Sequence, residues 1–185
     1  LVLVAFGGLG KSAIVNHWLA GMAKEGYRGA TRVFGWSFYS QGSGEERGAS
    51  GDEMVAAALT FLGDPEPSRG SPDEKAARLV GRVRRERMIL VLDGLEPLQY
   101  PQGPDLDEGR VKDRALGGLL RELAAANPGL CLITTRVAVA DLDDFTGKTA
   151  DRIELKRLPP AAGRELLRKL GVKGSNAEVD AAVAA

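Results

Sequence analysis

The segment AFGGLGKS, Ala5–Ser12, decides how this chain is read. A short apolar run, Leu1–Val4, precedes it, and a helical pattern, Ala13–Met22, follows directly. Strand, glycine-rich loop and helix in that order are the setting in which the pattern G-x-x-x-x-G-K-[ST] grips a phosphate. Glycines let successive backbone N–H groups turn inward around an anion, and the helix start adds its positive dipole end. The candidate nucleotide-binding residues are therefore Gly7, Gly8, Leu9, Gly10, Lys11, Ser12 and Ala13. Lys11 is placed to reach β- and γ-phosphates, and the Ser12 hydroxyl to ligate Mg²⁺. Ala5 stands where the pattern has its first Gly, a small departure because Ala keeps the backbone nearly as slim. The bland alternative is a glycine-rich turn beside a surface lysine.

Two further segments extend this reading. MILVLDGLE, Met88–Glu96, is an apolar run ending in Asp93, the Walker B pattern. A buried strand would carry the Asp93 carboxylate to the edge of a sheet, there to hold Mg²⁺ through water, since Mg²⁺ keeps much of its hydration. Glu96 could polarise a water for attack on the γ-phosphate; otherwise it is a loop carboxylate without a role. LITTRV, Leu132–Val137, delivers Arg136 to the same edge, where a guanidinium could sense the γ-phosphate and stabilise developing charge. The alternative pairs Arg136 with Asp141, Asp143 or Asp144. Lys11, Glu96 and Arg136 are thus the catalytic candidates, and Ser12 and Asp93 the metal ligands.

Composition sets the frame around these motifs. With 185 residues, 44% of them apolar, the chain can bury one good core. Lys plus Arg equals Asp plus Glu at 25 each. That balance lacks the basic excess of a dedicated nucleic-acid binder, so no direct nucleic-acid binding is expected of this segment. One cysteine, Cys131, suits a reducing cytoplasm and no disulfide framework. No apolar run reaches membrane-spanning length, so no membrane partner is expected. The start without Met, flush against the first strand, suggests a piece of a longer protein.

Further along, Ile14, Val15, Trp18, Leu19 and Met22 fall on one helical face. Thr31–Ser40 reads as a strand and Gln41–Asp52 as a mobile loop. Helices are expected over Asp52–Leu62, Pro72–Arg87, Val111–Ala126 and Pro160–Leu170, with a weak helical tail over Ala177–Ala185. Strands are expected at Met88–Leu92, Leu130–Thr135 and Arg152–Leu155, and turns over Gly63–Pro72 and Gln99–Glu108. Strands alternating with helices give a three-layer α/β domain with a parallel sheet, its ligand at the carboxyl ends of the strands.

Taken together, AFGGLGKS, WSFYSQ (Trp36–Gln41), TTR and RIELKRLPPAAGRELLRKLGV (Arg152–Val172) resemble the STAND class of P-loop ATPases, of the NB-ARC or AP-ATPase type. The resemblance covers nearly the whole chain. It implies a five-stranded parallel sheet with the Walker A strand central over residues 1–157, and the beginning of a small helical subdomain over 158–185. It also implies a switch: ADP holds a resting state and ATP favours self-association, with effector and sensor domains elsewhere in the parent chain. DGLE replaces the family's more usual DD, and the chain stops before the family's later nucleotide-contacting motifs.

The sequence reading is thus a cytoplasmic, slow Mg·ATP-binding switch ATPase. Its rivals are a scaffold that binds ADP or ATP without hydrolysis, a P-loop kinase and an AAA-type motor. His17 reads as a partly exposed structural residue and Cys131 as inert core. Arg82, Arg84, Arg85 and Arg87 read as complements to a helix dipole, and Trp36 and Tyr39 as core-packing or subunit-contact residues rather than base-stacking ones.

Overall fold

The computed structural model describes residues 1–39, 50–101 and 107–184. The chain forms two compact units, Leu1–Leu155 and Lys156–Ala185. In the first, β1 (Val2–Val4) leads through the glycine loop into α1 (Lys11–Lys24), and β2 (Arg32–Ser37) follows. Next come α2 (Gly51–Phe61), α3 (Pro72–Val83), β3 (Met88–Asp93), α4 (Arg114–Ala125), β4 (Leu130–Thr135) and β5 (Arg152–Glu154). The strands pair in parallel in the order β2-β3-β4-β1-β5. The result is the expected three-layer α/β fold of a P-loop NTPase. One detail differs: β1 is interior, between β4 and β5, and the middle strand is β4.

Strand alternation sorts the apolar residues onto two faces. Val2, Met88, Leu90, Leu92 and Ile133 join the side chains of α2, α3 and α4, among them Met54, Leu59, Leu79, Leu116 and Leu119. Leu3, Ile89, Val91 and Leu132 face the other way, toward Val15 of α1 and partly buried Trp18, Leu19 and Met22. Because β3 is covered on both faces, its run of apolar residues is continuous rather than alternating. Ile14 departs from its expected place: it is 47% exposed. It lies about 100° round the helix from Val15, off the stripe formed by Val15, Trp18, Leu19 and Met22.

Local chemistry sets where the helices begin. Ser50 caps α2 by accepting from Glu53 N at 3.2 Å. Ser71 and Glu74 form a reciprocal capping box at α3, with Pro72 in the first turn. The Asp113 side chain accepts from Leu116 N at 3.1 Å, so α4 starts at Arg114 and not at Val111. Val111 instead donates its amide to Asp141. Helix α3 stops at Val83, short of the expected Arg87. Two arginines at its end serve neighbouring helices: Arg84 donates to the carbonyls of Glu122 and Ala126 at the end of α4. Arg82 likewise donates to Leu62 O beyond α2. The loop expected over Gln41–Asp52 lies outside the described residues as far as 49, as does 102–106 of the turn-rich segment.

The second unit pairs α5 (Pro160–Lys169) with α6 (Asn176–Ala184). Arg164 grips Asp180 through two hydrogen bonds of 2.6 Å. A Cβ on Gly163 would meet Val183 at 2.5 Å, so the glycine permits the close approach.

Candidate functional site at the strand ends

The glycine loop is built by two left-handed backbone positions. Gly8 has φ +79° and Gly10 φ +81°, which L side chains rarely adopt. An added Cβ at either would meet nothing within 4 Å, so conformation and not crowding demands glycine. Gly10 is also the N-cap of α1 and offers no side chain to its first turn. Among the described residues the amides of Lys11, Ser12 and Ala13 have no protein acceptor, whereas α2, α3 and α4 are all capped by their own chain. The start of α1 therefore presents free N–H groups and a positive dipole end to the space above the loop.

That space encloses about 300 Å³ and is lined by Gly7, Gly8, Gly10, Lys11, Ser12, Ala13, Tyr39, Glu96, Thr134 and Arg136. It lies at the carboxyl end of the sheet, where ligands of open α/β folds bind. Leu9 is the candidate that does not line it; its side chain is partly buried. Lys11 Nζ folds back to donate to Ala5 O at 2.6 Å and Phe6 O at 3.2 Å. Burial lowers its pKa, helped by Arg136 and opposed by Glu96 and Asp93.

Parallel pairing of β3 with β4 aligns the carboxylate with its partners. Ser12 Oγ donates to Asp93 Oδ1 and Oδ2 at 2.9 and 3.0 Å, across 81 residues of sequence. Thr134 Oγ1 donates to Asp93 Oδ1 at 2.6 Å, and accepts from Gly94 N at 2.9 Å. Among the described residues no cluster of three or more His, Cys, Asp or Glu could hold a metal. The Ser12 hydroxyl and Asp93 carboxylate nonetheless form an oxygen pair of the kind Mg²⁺ accepts when phosphate and water complete its shell.

Glu96 occupies the centre of the site. Its Oε2 accepts from Tyr39 Oη at 2.6 Å. Its Oε1 is buried and has no hydrogen-bond partner, with Lys11 Nζ at 3.9 Å and Arg136 Nε at 3.8 Å. A buried carboxylate oxygen without a donor, beside two cations, is an acceptor whose partner the site has yet to supply. The Arg136 guanidinium lies 3.4 Å from where a Cβ on Gly7 would stand, so it runs along the loop. Its ion partner is Glu96 rather than any of the three aspartates after it.

Four residues in or behind the site escaped the sequence reading. Thr134 reaches the site because residues two apart on a strand share a face, which puts Thr134 with Arg136. Thr135 faces the other way and donates to the buried Gln99 side chain. Gln99 in turn donates to Gly109 O, Val137 O and Ala138 O, anchoring the backbone that follows Arg136. Tyr39 lines the site and is 55% exposed; partial desolvation and its bond to Glu96 push its hydroxyl pKa up to about 12. Trp36 is partly buried against the core. His17 is exposed, and Cys131 is partly buried, its thiol pushed up to about 11 by burial.

No family model matches the chain, and no curated protein matches it. Solved structures do. A structure of the Aeropyrum pernix ORC1 protein in complex with DNA is 19% identical, with a TM-score of 0.57 over 92% of this chain and 42% of that one. A structure of the E. coli MS115-1 HORMA:CdnC:Trip13 complex is 16% identical, with a TM-score of 0.54 over 98% of this chain and 57% of that one. The chain therefore spans about half the length of these similar chains. One expectation is overturned: the absence of direct nucleic-acid binding, since a similar fold occurs in a protein solved with DNA. That expectation rested on total charge, whereas nucleic-acid contacts depend on local clusters of Lys and Arg. The likeness leaves the narrower STAND assignment to the motifs alone. Glycine loop, strand order and solved neighbours agree on one architecture: the chain has the P-loop NTPase fold.

Proposed function

We propose that this chain binds ATP and ADP and hydrolyses ATP slowly, as a STAND-type nucleotide switch of a signalling or defence protein. The observation that carries the reading is the orphaned Glu96 Oε1, buried between Lys11 and Arg136 beside the free amides of α1. The amides of Gly8–Ala13 cradle the phosphates, and Lys11 exchanges its loop carbonyls for β- and γ-phosphate oxygens. Ser12 and Asp93 hold Mg²⁺, which when bound neutralises phosphate charge. Arg136 contacts the γ-phosphate from beside Gly7. Glu96 orients a water whose oxygen bonds to the γ-phosphorus as the bond to the bridging oxygen breaks. The electron pair of that bond leaves with ADP, and the water proton passes through Glu96 to the released phosphate. Such catalysis is chiefly positioning and electrostatics.

Turnover of Glu96→Gln tests the reading. General-base loss costs about 10²-fold or more in rate, while affinity for ATP stays that of the wild type. Unchanged turnover removes Glu96 from this role, and a wild type that binds ATP but releases no phosphate favours the non-hydrolysing scaffold. ATP-dependent self-association belongs to the same proposal, read as a larger mass in ATP than in ADP; equal masses refute it. The likeness to a protein solved with DNA gives a second reading, an ATPase that works on DNA. Phosphate release stimulated by duplex DNA supports it, and indifference to DNA rejects it.

A further inference from the structure

Tyr39 stands two residues beyond β2 and is 55% exposed, yet its ring and its hydroxyl both have partners. Phe38 donates its amide to Asp93 O at 2.9 Å and buries its ring in the core. The next side chain must then face the site. The Tyr39 ring lies on Gly94 so closely that a Cβ there would stand 2.2 Å from Cε2 and 2.3 Å from Cδ2. Gly94 also has φ +74°, and its amide is tied to Thr134. The glycine of DGLE is thus the seat of an aromatic ring.

We propose that Tyr39 is a positioning residue for Glu96: its phenol, seated on Gly94, fixes one carboxylate oxygen so that the other faces the space between Lys11 and Arg136. The inference rests on the hydrolytic reading above and adds a residue to it. A carboxylate is planar, so holding Oε2 sets the direction of Oε1. Glu96 has two competing partners, Lys11 and Arg136, at 3.9 and 3.8 Å. Neither is close enough for a hydrogen bond, whereas the Tyr39 bond is 2.6 Å. Tyr39 therefore keeps the carboxylate off both cations, and leaves Oε1 an acceptor for the attacking water. Without the hydroxyl, the carboxylate swings onto a cation and the water loses its orienting partner.

Tyr39→Phe keeps the ring and removes only the hydroxyl. Wild type, Tyr39→Phe, Glu96→Gln and the double variant are compared for affinity toward a fluorescent ATP analogue and for single-turnover hydrolysis of Mg·ATP. The expected result is wild-type affinity in Tyr39→Phe with hydrolysis slowed about tenfold, the scale of a modest loss of alignment. No further slowing is expected when Tyr39→Phe is added to Glu96→Gln, because the tyrosine acts through the glutamate. Hydrolysis by Tyr39→Phe at the wild-type rate, or the same slowing in the Glu96→Gln background, overturns the inference and leaves the hydrolytic reading intact. A wild type that does not hydrolyse ATP overturns both.

Discussion

Lys11 donates to the carbonyls of Ala5 and Phe6, holding its ammonium over the loop that it serves. A phosphate entering the loop replaces neutral acceptors with charged ones, so the exchange favours binding. Beside it, Tyr39 shows how desolvation and one bond together change a residue's chemistry. Its pKa stands at about 12 against an ordinary 10.0, chiefly through burial and the bond to Glu96. The neutral phenol is favoured in the folded state, so this contribution is complete below pH 10.0 and is lost as pH rises toward about 12. Urea unfolding at pH 9 and pH 11 checks the sign. Wild type is expected to lose more stability over that interval than Tyr39→Phe; equal losses would show that the hydroxyl titrates normally. The position of Lys11 and Ser12 at the cavity was legible from type and spacing. That of Tyr39 was not, because an aromatic beside a strand looks the same in sequence whether it packs or points into a site.

At the scale of elements, the helix starts divide by what satisfies them. The Ser71–Glu74 box closes α3 with its own side chains, and α1 leaves its first turn open behind Gly10. Removing the Ser71 hydroxyl as Ser71→Ala is expected to cost about 1 kcal/mol, a typical cap loss, without touching nucleotide affinity. A thermal melt and an ATP titration check both parts, and a change in affinity would tie α3 to the site. Leu130–Thr135 was legible end to end, since a buried parallel strand needs an unbroken apolar run. Helix α4 was harder: Val111 belongs to the apolar pattern, yet Asp113 caps the helix and Val111 serves Asp141 instead. Strand order was less accessible still. Placing β4 in the middle depends on pairing between segments far apart in the chain, which periodicity does not encode.

Across the whole molecule, the cavity gathers residues 7, 8, 10–13, 39, 96, 134 and 136 from four separate stretches. The sheet makes this possible by ending its parallel strands at one edge, so motifs distant in sequence become neighbours there. Total charge misled for a related reason: it averages over a surface on which function is local. The account's central claim is that the amides at the start of α1, with Lys11, bind a polyphosphate. Calorimetric titration of wild type and Lys11→Ala with Mg·ATP tests it most directly. The account predicts saturable binding by the wild type and about a hundredfold loss in the variant, equivalent to about 3 kcal/mol for a charged hydrogen bond, with an unchanged circular dichroism spectrum. Equal affinity in the two proteins, or no binding by the wild type, would contradict it.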